Sequence, residues 1–450
     1  MDSPQLREVL LNSCWNYYLR SVTVVDQQLF MSHRSSGKRS QYYSSFLESS
    51  LLACGTRIST SPAVRKLGRS YAERAKQHIA DELEQPTIAT LQGFLLLSDF
   101  EATAARDRVG WTYNDCSRLV KHEILSELDV HLRDSLLLSA FVYDRLWALY
   151  LGRPSCVPSQ IVESKNLFNA TPEAQENTLH HWVHLCNDIS EITDILNGFG
   201  QELNRSVASR LSDIGLRISK THEALPPRLS SKQMPNLDVT AYGLNMQFCG
   251  IQIVLHRALV KIFSQQGAIN PGVDTTSVER SRIIMYDSAA CISRLTLAFR
   301  EIFGVENFIT VMLDNMYIAA STLISHIVQP PLRPNVEGSF NEAFHNLSVI
   351  AETIRVLQNH YPVAEKMRRT LARICGNTPL AGMFGVTVGM QTTPPASNGM
   401  DNMLIQAVGG SWGSMEALVH DDSILSQPNF LGEDFQMDLG MVDLNMSLLP

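Results

Sequence analysis

The sequence predicts an all-α fold: a large multi-helix body in two packed halves, followed by a mostly disordered acidic tail. Three observations carry this. Apolar residues recur every three or four positions through segment after segment, which places them on one face of a helix. No sustained period-two alternation with hairpin signals occurs, which argues against a sheet. Breaks rich in Pro, Gly and polar residues separate the periodic stretches.

The elements follow in order. Arg65, Lys66, Arg69, Arg74 and Lys76 lie along one expected helix. Pro86 is expected in the first turn of the next, where its missing N–H costs little. Leu132, Leu136, Ala140, Tyr143, Trp147 and Tyr150 share one helical face. That helix is expected to end at Gly152-Arg153-Pro154, because Gly suits the cap and Pro cannot extend it. Further helices are expected through Leu179–Leu196, Leu244–Leu259, Ile283–Leu297 and Leu347–Leu357, with breaks at 152–160, 223–238, 265–278 and 329–340. Residues 376–400 read as a linker. The resulting division is 1–160, 161–375 and a flexible tail over 376–450. No 33–47-residue self-similarity marks a helical repeat.

Composition narrows the function classes. The chain has 450 residues, 44 % apolar and 18 % charged, enough to bury a large core. No apolar run approaches the roughly 20 residues that span a bilayer, so no membrane partner is expected. Met1-Asp2-Ser3-Pro4 lacks the basic and apolar regions of a secretory leader. The eight cysteines each stand at least 30 residues from the next, which reads as isolated thiols and excludes a local Cys-x-x-Cys knuckle. The net charge is −8, and it is unevenly placed. Beyond Arg373 there is no Lys or Arg but eight Asp and Glu, leaving 37 acidic residues to balance 37 basic ones before it. A neutral body is a poor platform for nonspecific phosphate contacts.

Several motifs were weighed for chemistry. Gly409-Gly410-Ser411-Trp412-Gly413 matches a nucleophile elbow, but that motif works only on a strand–turn–helix. His180, His181, His184 and Cys186 cluster as metal ligands might, yet Leu179, Trp182 and Cys186 set the buried stripe, so the histidines read as solvated. Asn187–Glu191 has the residue types of a magnesium motif of helical cyclases, but contiguous residues point all round a helix. The basic runs His33–Arg39 and Arg65–Lys76 read as solvated faces or import signals. No enzyme activity, catalytic residue or metal ligand is assigned. In the tail, acidic residues alternate with apolar ones, among them Trp412, Phe430, Phe435, Leu439 and Leu444. Carboxylates keep such side chains in water until they dock in a partner's groove, the composition of an activation segment.

Taken together, Tyr42–Leu47, Leu51–Arg57, Ala72–Lys76, Pro86–Ser98 with its Leu91-Gln92 pair, and Tyr143–Pro154 with its Asp144-Arg145 … Gly152-Arg153-Pro154 signature are recognisable. With Leu255–Leu259 and Asp287–Cys291, the chain over roughly 10–375 resembles the middle homology region of fungal zinc-cluster transcription factors. This is the regulatory domain also found in xylanolytic activators, and the nitrogen-assimilation regulators are the nearest branch. The resemblance implies a nuclear transcription regulator of a metabolic or secondary-metabolite gene cluster, whose helical region governs its activation segment. It implies the transcription machinery or a coactivator as partner. In the family, zinc sits in an N-terminal six-cysteine cluster; no such spacing occurs here, so no cofactor and no direct DNA binding are expected, and a DNA-binding paralogue becomes the second partner. About one family helix after Gly110-Trp111-Thr112-Tyr113 is missing, and the arginine pair before the signature is reduced to Arg133. The resemblance makes Leu91, Gln92, Arg133, Asp144, Arg145, Gly152, Arg153 and Pro154 structural, with Asp144 paired to Arg153 or Arg133. The alternative is a DNA-independent helical interaction or effector-sensing protein that modulates a full-length paralogue.

Overall fold

The computed structural model describes residues 3–19, 24–116, 130–151, 155–159, 178–197, 204–234, 236–269, 275–328, 336–376 and 378–385. Among these residues there are fifteen α-helices and no strand. The first seven are α1 (Pro4–Ser13), α2 (Gln27–Arg34), α3 (Ser45–Arg57), α4 (Pro62–Lys76), α5 (Ile79–Glu84), α6 (Ile88–Thr103) and α7 (Asp107–Cys116). A long α8 (Val130–Leu151) leads to α9 (Thr178–Asn197), α10 (Arg205–Glu223), α11 (Val239–Ile269) and α12 (Thr275–Phe303). The last are α13 (Thr310–Val328), α14 (Val336–Leu357) and α15 (Pro362–Cys375).

Local chemistry sets the starts. Ser3, Asp26, Ser44 and Asn204 each accept a backbone N–H of the first turn that would otherwise lack a partner. Pro62 and Pro362 open α4 and α15, where a missing N–H costs nothing. Pro86 lies outside its helix, against expectation. Thr87 is the cap, and it exchanges hydrogen bonds with Thr90 in a capping box, so the hydroxyl-bearing residue wins the position.

Two apolar cores form. One gathers α1–α6 and the start of α8, from Leu10 to Ala140. The other runs from Phe141 to Phe384 and includes α9–α15. The boundary therefore falls inside α8. The most extensive helix pair is α11 on α12, in the second core.

Some expected boundaries move. The breaks at 265–278 and 329–340 are shorter, because α11 runs to Ile269, α12 starts at Thr275 and α14 starts at Val336. Within the linker expected over 376–400, Pro379–Phe384 instead form a 3₁₀ turn with Leu380, Ala381 and Phe384 buried, and the residues after 385 lie outside the described ones. Two helical stretches, Val239–Ser264 and Thr310–Val328, are long and apolar enough to cross a membrane, which an uninterrupted-run criterion missed because polar residues punctuate them. Of these windows, 61 % and 72 % are buried inside the protein, as core helices are. The capping triplet Gly152-Arg153-Pro154, the missing-helix region after Cys116, and the tail lie outside the described residues.

Candidate functional site

Asp144 and Arg145 sit in α8 and are almost fully buried. The Arg153 partner expected for the Asp144 carboxylate, and the side chain of Arg133, lie outside the described residues. The carboxylate accepts the backbone N–H of Cys156 (2.9 Å) and of Val157 (3.0 Å), and it pairs with the Arg145 guanidinium beside it. Arg145 also donates to the Val157 carbonyl (2.6 Å), to Ser159 Oγ (3.1 Å) and to Ser190 Oγ of α9, and it stacks over the Phe141 ring at 4.3 Å. Residues 155–159 lie back along α8, so neighbouring backbone donors and the next residue serve the carboxylate locally. Burial pushes the Asp144 carboxyl up, and the Val157 and Cys156 N–H groups and Arg145 oppose that. Gln92 is buried and donates to the Val24 carbonyl (3.0 Å), tying the approach to α2 onto α6, while Leu91 is half-buried. Arg133 lies in α8.

The other motifs resolve as packing. Asp188 and Glu191 are held by Arg217 of α10, each at 2.7 Å, and Ser190 by Arg145. The three histidines of α9 are half-buried rather than solvated, with the His180 and His184 rings 4.4 Å apart, edge to face. Burial, then the two neighbouring rings, hold His184 down to about 4. Among the described residues, no three His, Cys, Asp or Glu side chains could hold a metal ion. In the basic runs, Arg34 pairs with Glu48 (3.0 Å) and Glu8, Arg39 with buried Glu82 (3.1 Å), and Lys76 with buried Glu101 (2.7 Å).

A cavity of about 110 Å³ lies at the seam of the two cores. Its aromatic walls include Tyr143, Trp147 and Tyr150, one face of α8, with Trp182 of α9, Tyr317 of α13 and Tyr18. Tyr18 arrives from a π-helical turn, Cys14–Tyr18, whose wider winding resets the side chains after α1. Its hydroxyl donates to Asp99. Gly110 lets α7 approach, since a Cβ there would stand 2.8 Å from the Trp147 ring. Tyr150 is anchored by Gln247 Oε1 (2.7 Å), which also accepts from Asn315 (3.0 Å).

Three carboxylates face this space: Asp99, Asp107 and Asp314. Asp99 is pushed up by burial, while the Tyr18 and Thr310 hydroxyls and Arg57 work against that. Asp107 pairs with Lys366 across the seam at 3.8 Å. Asp314 is held well above the usual carboxylate range by burial and then by the negative charges of Asp107 and Asp99. No donor or cation pairs with Asp314 among the described residues. Trp182 is fully buried, and its indole N–H likewise has no acceptor there. A concave, mostly apolar site with a few converging polar groups of shifted pKa has the make-up of a ligand pocket. Beside it, Arg57 of α3 donates to the His360 carbonyl (3.2 Å), and His360 Nδ1 contacts the Arg57 carbonyl (2.9 Å), joining the halves.

Sequence reasoning placed Tyr143, Trp147 and Tyr150 on one face but read them as core, and it missed Asp99, Asp107, Trp182 and Asp314 as a group. One signal was available: Asp314 is the sole acid in the apolar run Thr310–Val328. A thiol pair was also missed. Cys249 of α11 and Cys291 of α12 are hydrogen-bonded to each other, although 42 residues separate them.

Comparison with known proteins agrees with this architecture. The fungal specific transcription factor domain matches residues 11–181. The nitrogen assimilation transcription factor nirA of Emericella nidulans is 24 % identical over 377 residues, 73 % of this chain and 41 % of that protein. The nitrogen assimilation transcription factor nit-4 of Neurospora crassa is 31 % identical over 247 residues, 49 % of this chain and 21 % of that protein. The chain thus spans less than half the length of these two curated relatives. No solved structure matches. The matched span takes in α2–α8 whole, and the similarity to the two relatives extends beyond it, so the chain is similar over residues 11–181 to the fungal specific transcription factor domain and more widely to the nitrogen assimilation transcription factors nirA and nit-4.

Proposed function

We propose that the chain is a nuclear transcription regulator, not an enzyme, whose helical body restrains or licenses an activation segment within residues 376–450. The observation that carries this is the transcription factor domain match over residues 11–181. The tail's composition supports it, with eight acidic residues and no basic ones among many apolar side chains. Trp412, Phe430, Phe435, Leu439 and Leu444 are the proposed contacts with a coactivator, docking as a short amphipathic helix. The two relatives are named for nitrogen assimilation, and a metabolic or secondary-metabolite gene cluster is the proposed target of this chain. DNA contact is proposed to come through a DNA-binding partner, with no zinc bound by this chain's own cysteines.

The test tethers the full chain, and a version ending at Gly385, to a heterologous DNA-binding domain. The full chain activates a reporter and the shortened one does not; equal output from both would refute the activation segment. Chromatin occupancy in a strain lacking the paralogue separates direct promoter binding from action through that partner.

A further inference from the structure

The seam cavity holds two groups of opposite need that no protein group among the described residues satisfies. Asp314, half-buried at the cavity, offers carboxylate oxygens without a protein donor, and Trp182 offers a fully buried N–H without an acceptor. The remaining wall is largely aromatic. Chemistry removes most occupants. An anion would face Asp99, Asp107 and Asp314 together. Among the described residues no three side chains, the three aspartates included, converge closely enough to hold a bare metal ion. A hydrocarbon would leave the Asp314 carboxylate and the Trp182 N–H as they are, without a partner. An organic ammonium meets the requirement, because ring faces attract a cation and a carboxylate accepts its N–H groups. The indole N–H adds the need for an oxygen acceptor. A free amino acid fails there, since its own carboxylate would enter an acidic pocket. The volume, about 110 Å³ against roughly 10–15 Å³ for one water, suits a molecule of several heavy atoms.

The geometry points to an amino alcohol as the class of ligand for this cavity, with its ammonium on Asp314 and its hydroxyl oxygen accepting from Trp182. Occupancy is independent of the transcriptional reading, because it is measured on the purified chain and not through a reporter.

The experiment is calorimetric titration of the full 450-residue chain with L-leucinol. Three matched compounds accompany it: 4-methyl-1-pentanol lacks the amine, 4-methylpentylamine lacks the hydroxyl, and L-leucine adds a carboxylate. Leucinol is expected to bind at least roughly tenfold tighter than the alcohol and than leucine, the scale of a charged hydrogen bond. Asp314→Asn should remove that preference for the amine. Trp182→Phe should lower leucinol affinity toward that of 4-methylpentylamine while keeping the preference for an amine. The inference is overturned if the alcohol binds as well as the amine, if Asp314→Asn with an unchanged circular dichroism spectrum binds leucinol like the wild type, or if no amine binds at millimolar concentration.

Discussion

A buried charge is costly unless its neighbours complete it, and two aspartates of this chain stand at opposite ends of that rule. Asp144 is complete: Arg145 and two backbone N–H groups surround it. Asp144→Ala leaves the Arg145 guanidinium buried without its anion, so a loss of about 3–5 kcal/mol is expected in urea unfolding. An unchanged midpoint would remove Asp144 from the structural framework. Asp314 is incomplete, and the sign of its pH dependence follows. Its folded pKa lies above its unfolded one, so the native state binds the extra proton. Stability then falls as pH rises from the ordinary aspartate range through the raised folded value. The groups facing it are Asp107 with its partner Lys366, Asp99 and Tyr150. Asp314→Asn should therefore melt a few degrees above the wild type at neutral pH, with the gap closing near pH 4. A gap that persists unchanged in acid would contradict this. Cys291 gives a third residue-scale outcome. Its hydrogen bond with Cys249 and the nearby Arg294 hold it below the ordinary thiol range despite burial. It should alkylate before Cys14, Cys54 and Cys186, all raised by burial, in a timed iodoacetamide reaction read by mass spectrometry.

At the scale of elements, α6 shows what a close contact demands. A Cβ on Gly93 would stand 2.3 Å from the Phe46 ring, which itself packs edge to face on Phe94. Gly93→Ala should cost about 1–3 kcal/mol by overpacking, read as a lowered melting temperature. The same scale shows what a sequence discloses. Helices with one wet face, such as α9 and α14, were legible because their apolar residues recur at helical spacing. By contrast α13 is buried nearly all round, so it carries no periodic contrast and went unread. The start of α6 was placed at Pro86 because Pro at a helix start is a familiar signal. The competing Thr87–Thr90 capping box is a more local chemistry, and it prevailed. The backbone partners of Asp144, the N–H groups of Cys156 and Val157, could not be read from pattern, because they depend on where the backbone after α8 turns.

For the whole molecule, the seam matters more than either core. The cavity draws on Tyr18, Asp99, Tyr150, Trp182, Asp314 and Val363, which no window of the sequence contains together. Only the packing of α6, α8, α9, α13 and α15 assembles them. Because α8 contributes Ala140 to one core and Phe141 to the other, and Arg57 with His360 closes the opposite side, the halves should unfold together. A single calorimetric transition is expected, with Arg57→Ala lowering its midpoint; two resolved transitions would mean the cores are thermally independent. A rise of about 1.5 Å per residue makes this 22-residue helix a strut about 33 Å long. It is sunk at one end in the early-chain oil and at the other in the late-chain oil. A guest wedged against its aromatic rungs would press on a beam the two bodies share, so even a slight tilt would be felt from Leu10 to Phe384 at once.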